Sequence, residues 1–358
     1  MNRFLPILIF VFSTLCLCSC DSTHQTEILG VKCYELPDSP ENTIARWNNL
    51  GINTAYVSED IAENLEFRKL AKASGIDVYL IFPVFYNPEA LKADSSLWAR
   101  TSDGERAKAD WVEFVCPSRK DYRASVVEHA KDMVSTLKPD GLSIDFIRHF
   151  VFWEMVGPNF DPNRLPDACC CSNCIDGFIT ETGMALSNEM YSSEEKLWFI
   201  QENHSQQWQK YKERLITTMV SDLAQAVKSI KPDTKLNLHA VPWRADDYNG
   251  ASRTVTCQNL PELSKMVDYI SPMCYTHMLY RSAEWVDSLV VDFQKQGVDN
   301  VLPCIQVGLS YRSEEFTPEA FDACVTSARK SQVNGLVLWS WEMLAKDLKK
   351  QKSIEGIK

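Results

Sequence analysis

Asp145, Arg148 and His149 stand together at the end of residues 138–149, a stretch that opens on the turn Pro139-Asp140-Gly141. Between turn and cluster the residues are apolar or alternating, the pattern of a buried strand. A parallel α/β barrel presents its chemistry at the carboxyl ends of such strands, which makes Asp145 the first candidate for catalysis. The competing reading is an aspartate that only braces the strand. Hydrolysis of a glycosidic bond needs a second carboxyl, about 5–5.5 Å away for retention or about 6.5–9.5 Å for inversion. Glu342 and Asp247 are the candidates for it, with Glu35 and Glu113 behind them. Arg148, three residues on, is expected to pair with Asp145 and keep it anionic. The partner acid must stay protonated in a drier place. Glu342, between Trp341 and Met343, fits that description better than Asp247, which lies near Arg244 and Asp246.

Strand-like and helical stretches alternate along the chain to position these residues. Strands are expected at 27–34, 53–58, 77–85, within the stretch 138–149, and at 235–243, 268–275, 301–308 and 335–341. Helices separate them; Ser39-Pro40-Glu41 is a good helix start and Gly51 a good stop. Two helical runs, 193–208 and 211–230, precede the fifth strand. Such alternation implies parallel strands with helical crossovers. Eight units favour a closed (β/α)8 TIM barrel of the α/β class over an open sheet, with long insertions after strands 3 and 4. An open doubly wound sheet would want a glycine-rich loop after its first strand, and Tyr34-Glu35-Leu36-Pro37 is not one. The barrel is expected to fill residues 27–345 and to leave 346–358 as a polar tail.

Strand ends then predict a mouth lined by Tyr34, Arg148, His149, His239, Trp243, Tyr275, Gln306, Trp339 and Trp341. Aromatic faces stack on pyranose rings while polar groups fix hydroxyls, so this set suits a carbohydrate. Trp339 and Trp341, two apart on one strand, are expected to share a side: both in the core or both at the mouth.

The chain carries a formal charge of −11 and no basic patch, which argues against nucleic acid or anionic headgroups as partners. Its first 19 residues read as a signal peptide: Asn2 and Arg3, then the apolar run 4–15, too short for a comfortable span. Leu17-Cys18-Ser19-Cys20 resembles the lipobox of bacterial lipoproteins, which implies a lipid on Cys20, a tether over 20–26 and a place in the cell envelope. Disulfides are the default for cysteines in such a compartment. Cys33, Cys274, Cys304 and Cys324 instead sit singly in apolar stretches, as buried thiols do.

Several runs resemble barrel-type glycoside hydrolases. Cys116-Pro117-Ser118 with Tyr122-Arg123, then Asp140-Gly141 with Asp145-Phe146-Ile147-Arg148, is similar to glycosyl-hydrolase-like family 10 and its relatives. Ile270-Ser271-Pro272-Met273 with Tyr275, and Trp339-Ser340-Trp341, look like later strands of the same group. Independently, Cys169-Cys170-Cys171-Ser172-Asn173-Cys174 followed by Phe178 resembles the cysteine segment of family 42 β-galactosidases. That resemblance implies a structural zinc held by Cys116, Cys169, Cys171 and Cys174, with Cys170 left out. One or two disulfides are the alternative. The catalytic glutamates of family 42 do not carry over: no Asn-Glu pair ends the fourth strand, and Gln306 stands at the seventh.

Together these features imply a lipid-anchored, glycoside-hydrolase-like enzyme without an organic cofactor. The alternatives are a glycan-binding lipoprotein that has lost its acid/base pair, or a hydrolase acting on a non-glycosidic bond such as an amide.

Overall fold

The computed structural model describes residues 27–185 and 192–357. The stretch expected as a signal peptide, the expected lipidation site Cys20 and the expected tether lie outside the described residues.

Eight strands form where the sequence turns apolar: β1 (Ile28–Cys33), β2 (Thr54–Val57), β3 (Asp77–Pro83), β4 (Gly141–Asp145), β5 (Lys235–Ala240), β6 (Tyr269–Cys274), β7 (Cys304–Gln306) and β8 (Gly335–Trp339). All neighbours in the ring pair in parallel, and β8 closes on β1 with Ile28 opposite Gly335 and Lys32 opposite Trp339. This is the expected (β/α)8 barrel.

Helix signals act where they are read. In the helix Pro40–Leu50, the Ser39 hydroxyl accepts the Asn42 N–H and Gly51 ends the helix in a left-handed conformation. The two helical runs before β5 are instead one helix, Ser193–Ile230, interrupted only by the non-helical backbone of His204. Among the described residues no helix is long and apolar enough to cross a membrane.

The residues expected as a polar tail fold back onto the barrel. Leu348–Lys352 is helical, and Lys350, Gln351, Ile354 and Ile357 are buried. Lys350 Nζ donates to Val307 O at 2.7 Å and lies 4.4 Å from the Phe316 ring centroid. Its charged head thus has a carbonyl and an aromatic face in place of water.

Inside the barrel, residues fill in layers set by register. Lys32, Tyr56, Tyr79 and Gly141 are successive partners across β1 to β4. The rings of Tyr56 and Tyr79 lie 4.9 Å apart and occupy room that two glycines vacate. A Cβ on Gly30 would meet the Tyr56 ring at 2.8 Å, and one on Gly141 the Tyr79 ring at 2.2 Å. Above them Ser143, His239, Asn237 and Ser271 make a hydrogen-bonded polar layer.

Barrel closure itself rests on a glycine. Gly335 has φ +134°, and a Cβ there would lie 2.0 Å from Ile28 O. We expect Gly335→Ala to destabilise the protein by about 3 kcal/mol or more, seen as a lowered urea midpoint. An unchanged midpoint would mean that the β1–β8 seam does not depend on this contact.

Candidate active site and thiolate cluster

On β4 the interior positions are Gly141, Ser143 and Asp145, and each does a different job. The first makes room for a tyrosine and the second hydrogen-bonds His239. Asp145 reaches the carboxyl end, where Lys32 Nζ from β1 lies 3.1 Å from its Oδ2. Its Oδ1 accepts the Phe146 N–H at 2.8 Å. Burial alone would raise the pKa of Asp145. The Lys32 charge and these hydrogen bonds outweigh it and hold the carboxyl down at about 2. Phe146 has φ +49°, so the chain leaves the strand abruptly beyond the acid.

Asp145 and Lys32 form the floor of a cavity of about 800 Å3 at the carboxyl ends of the strands. Trp339 and Tyr275 line one wall, stacked with centroids 4.2 Å apart. Tyr86 and Phe146, stacked at 4.8 Å, line another. Over the mouth the indole N–H of Trp111, from the insertion after β3, donates to the Tyr311 hydroxyl from the loop after β7. The two rings are 44% and 41% exposed.

Glu59, Asp60 and Glu342 also line this cavity, but the most deeply buried carboxyl beside Asp145 is that of Glu154, which the strand-end reading missed. It sits in the short 3-10 turn Trp153–Met155 of the segment that follows β4 and is almost fully buried. Its Oε2 has no hydrogen-bond partner. Burial raises Glu154 to about 7, against the pull of the nearby Arg148 charge, and the Asp145 anion adds to the rise. A signal was available, since Phe152-Trp153-Glu154-Met155 surrounds the acid with apolar residues. Lys32 was missed too, although a lysine inside an otherwise apolar strand should have stood out.

Several expected site residues have other roles. Arg148 lines the cavity but is not ion-paired with Asp145; Lys32 takes that place. Arg148 instead donates to His149 O and Val151 O and lies 4.8 Å from the Phe114 ring centroid. Glu342 lines the cavity, but its Oε1 accepts the N–H groups of Tyr34 and Glu35 at 2.5 and 2.9 Å, which ties the ends of β8 and β1 together. Oε1 is thus committed to the backbone, while Oε2 is buried without a hydrogen-bond partner. Asp247 is absent from the cavity lining because its carboxylate clamps Arg244 at 2.9 Å.

Tyr34, Tyr275 and Trp339 do line the cavity. Trp341 does not, because the strand ends at Trp339 and the two-residue alternation ends with it. Trp341 opens a short helix and packs, fully buried, on Trp47 and under Arg46. Trp243 is buried against Tyr248. Gln306 braces two loops by accepting the Met278 N–H and donating to Gly308 O. His239 lies in the polar layer below, held neutral by burial and by Lys32, with its pKa near about 3.

His149 braces the insertion. Its Nδ1 accepts the Cys169 N–H at 2.8 Å and Nε2 donates to Lys212 O at 3.2 Å, while burial and then Lys212 lower its pKa to about 3. Lys212 in turn pairs with Asp167 of the same segment.

The cysteines converge as the resemblance implied. The sulfurs of Cys116, Cys169, Cys171 and Cys174 all lie within 4.8 Å of one another. Cys116 Sγ is 3.3 Å from Cys171 Sγ and 3.5 Å from Cys174 Sγ. A disulfide needs about 2.05 Å, and all ten described cysteines are free. A tetrahedral ion with metal–sulfur bonds of about 2.3 Å would set its ligands about 3.8 Å apart. Hydrogen bonds from Cys116, Cys169 and Cys174 hold the Cys171 thiol well below its ordinary range, concentrating negative charge where a cation would sit. The cluster fits a soft metal ion, and Ser118 and Asn173 surround it with further hydrogen bonds.

No family model matches this sequence, and no curated protein matches it. Solved structures do share the fold. The PgaB (BpsB) glycoside hydrolase domain from Bordetella bronchiseptica superposes with a TM-score of 0.69 at 14% identity, over 92% of this chain and 98% of that one. A β-galactosidase from the haloarchaeon Halorubrum lacusprofundi gives 0.66 at 12% identity, over 92% and 57%. Gan42B, a family 42 β-galactosidase from G. stearothermophilus, gives 0.62 at 11%, over 92% and 56%. The chain thus shares the barrel fold of these proteins and spans a little over half the length of those galactosidases.

Elemental analysis of the purified protein should return about one metal ion per chain. Cys116→Ser and Cys174→Ser should lose it together with thermal stability, while Cys170→Ser should keep it. Metal-free protein with these four thiols oxidised would defeat the assignment.

Proposed function

We propose that this protein is a glycoside hydrolase in which Asp145 is the anionic carboxylate and Glu154 the general acid. One observation carries the reading. Two carboxyls face one cavity with environments that push them apart, Asp145 down to about 2 and Glu154 up to about 7. Such a divided pair is what acid/base hydrolysis of an acetal needs near neutrality.

In the proposed reaction the Glu154 carboxyl protonates the bridging oxygen as the bond from that oxygen to the anomeric carbon breaks. Positive charge grows on the sugar ring, and the Asp145 carboxylate stabilises it from a fixed position. Water then supplies the hydroxyl of the product, and its proton restores Glu154. Trp339 and Tyr275 offer faces for the sugar ring. Lys32 keeps Asp145 charged and in place. A binding-only role would not require a protonated acid in the same cavity, and the Glu154 environment favours catalysis over it.

The cysteine site is proposed to hold zinc. Four thiolates would close its coordination shell, which leaves a structural and not a catalytic role. The leader and Leu17-Cys18-Ser19-Cys20 support a lipid anchor on Cys20 and a substrate met in the cell envelope, a poly- or oligosaccharide.

Release of reducing ends across a glycan panel tests the reaction. Asp145→Asn and Glu154→Gln are each expected to lower kcat at least about a hundredfold. With a glycosyl fluoride, whose leaving group needs no proton, Glu154→Gln should keep most of its rate. The sign of the pH dependence follows. Asp145 is already ionised above about 2, whereas Glu154 donates only while protonated, so kcat/KM should fall as pH rises through about 7. The Glu154→Gln enzyme should lack that limb. Full turnover by either variant would reject its assigned role.

The address is tested separately. Wild-type cells fed a labelled fatty acid should show label on the protein, and Cys20→Ala should abolish it and release the chain from the membrane fraction. Label that persists in Cys20→Ala would refute the anchor.

A further inference from the structure

The catalytic cavity does not end at Glu154. A second cleft of about 440 Å3 lies beyond it, and Glu154, Met278 and Tyr311 line both spaces. Asp145 lines only the first. The acid therefore stands in the wall between a space that holds the anion and a space that does not.

The second cleft carries aromatic rings held from behind. Tyr280 is 60% exposed, yet the Arg312 guanidinium lies 3.7 Å from its ring centroid and covers one face. Arg312 is itself fixed, donating to His277 O at 2.6 Å and to Glu314 at 3.3 Å. Phe160 is backed in the same way by Arg164 at 5.7 Å. Gly157 is anchored by the Tyr248 hydroxyl, which donates to its carbonyl at 2.8 Å and accepts from Arg281. These are rigid apolar faces presented to solvent, the form of surface on which a sugar ring stacks.

The direction of catalysis decides which sugar goes where. A general acid touches the oxygen that joins the two halves of the substrate, and the carbon under attack must lie on the side of the anion. The half that keeps the anomeric carbon then occupies the Asp145 cavity, and the half that leaves lies past Glu154. We propose that the second cleft binds the leaving saccharide, with Tyr280 as its stacking platform, so that the substrate is a glycan chain cut between sugars and not a glycoside of a small alcohol. This inference rests on the assignment of Glu154 as the acid.

The test compares wild type, Tyr280→Ala and Tyr280→Phe on two substrates of whichever sugar the glycan panel returns as cleaved. One is a tetrasaccharide; the other is the glycosyl fluoride, which has no leaving sugar. The ratio of kcat/KM on the tetrasaccharide to that on the fluoride should fall about three- to tenfold in Tyr280→Ala, the loss expected for one stacking contact. Tyr280→Phe, which keeps the ring, should restore it. An unchanged ratio with both substrates cleaved would overturn the cleft assignment and leave the hydrolase reading standing. A ratio that falls equally in Tyr280→Phe would overturn stacking by the ring. A glycan panel from which the wild-type chain releases no reducing ends would overturn both readings together.

Discussion

The site depends on a single buried ion pair, Lys32 with Asp145, placed where the barrel interior meets its mouth. Two charges at such a depth are tolerable only as a pair, because removing either strands the other without water. Register sets the geometry, since the two residues come from strands β1 and β4, which do not touch, and must meet across the axis. That meeting needs slack below it, provided by glycines that let Tyr56 and Tyr79 fill the floor, and by a polar layer that satisfies itself around His239. The result is an anion held in place by the fold.

The complementary acid is positioned by quite different means. Glu154 belongs to a long segment with little regular structure, whose placement relies on anchors. The cysteine cluster ties the segment after β4 to the insertion after β3, and His149 and the Asp167–Lys212 pair dock it onto the helix Ser193–Ile230. Dry surroundings for Glu154 follow from that docking. A metal in the thiolate site would therefore act on the acid at a distance, by keeping the loop packed that keeps the acid protonated.

How far the sequence was legible follows from the same division. The barrel and Asp145 lay in regular elements, where turn signals and apolar runs locate strands and strand ends. The cysteine cluster was legible only through its resemblance to the cysteine segment of family 42 β-galactosidases. Glu154 was not, because an irregular loop has no period from which to infer which way a side chain faces. Trp341, His239 and Gln306 were misplaced for a subtler reason: strand-end position was taken for exposure at the mouth. One strand stopped two residues earlier than its apolar run, and interior positions one layer down hold polar groups that serve the barrel. Lys32 shows the converse, a charge in an apolar strand whose partner lay three strands away in sequence.

Strands β3 and β7 face each other across the ring of eight, so the hydrogen bond between Trp111 and Tyr311 forms a crossbar above the cavity. A linear polymer cannot settle broadside into the cavity while the bar is in place; it must thread beneath it end-on or wait for it to lift. A single hydrogen bond of this kind contributes only about 1 kcal/mol net, so the bar is a latch and not a lock. Once a strand lies under it, however, escape sideways is hindered at each encounter, and sliding along the strand becomes the easier motion. For the glycan hydrolase proposed above, topology at the rim would then govern how many cuts follow one capture, independently of how fast each cut is made.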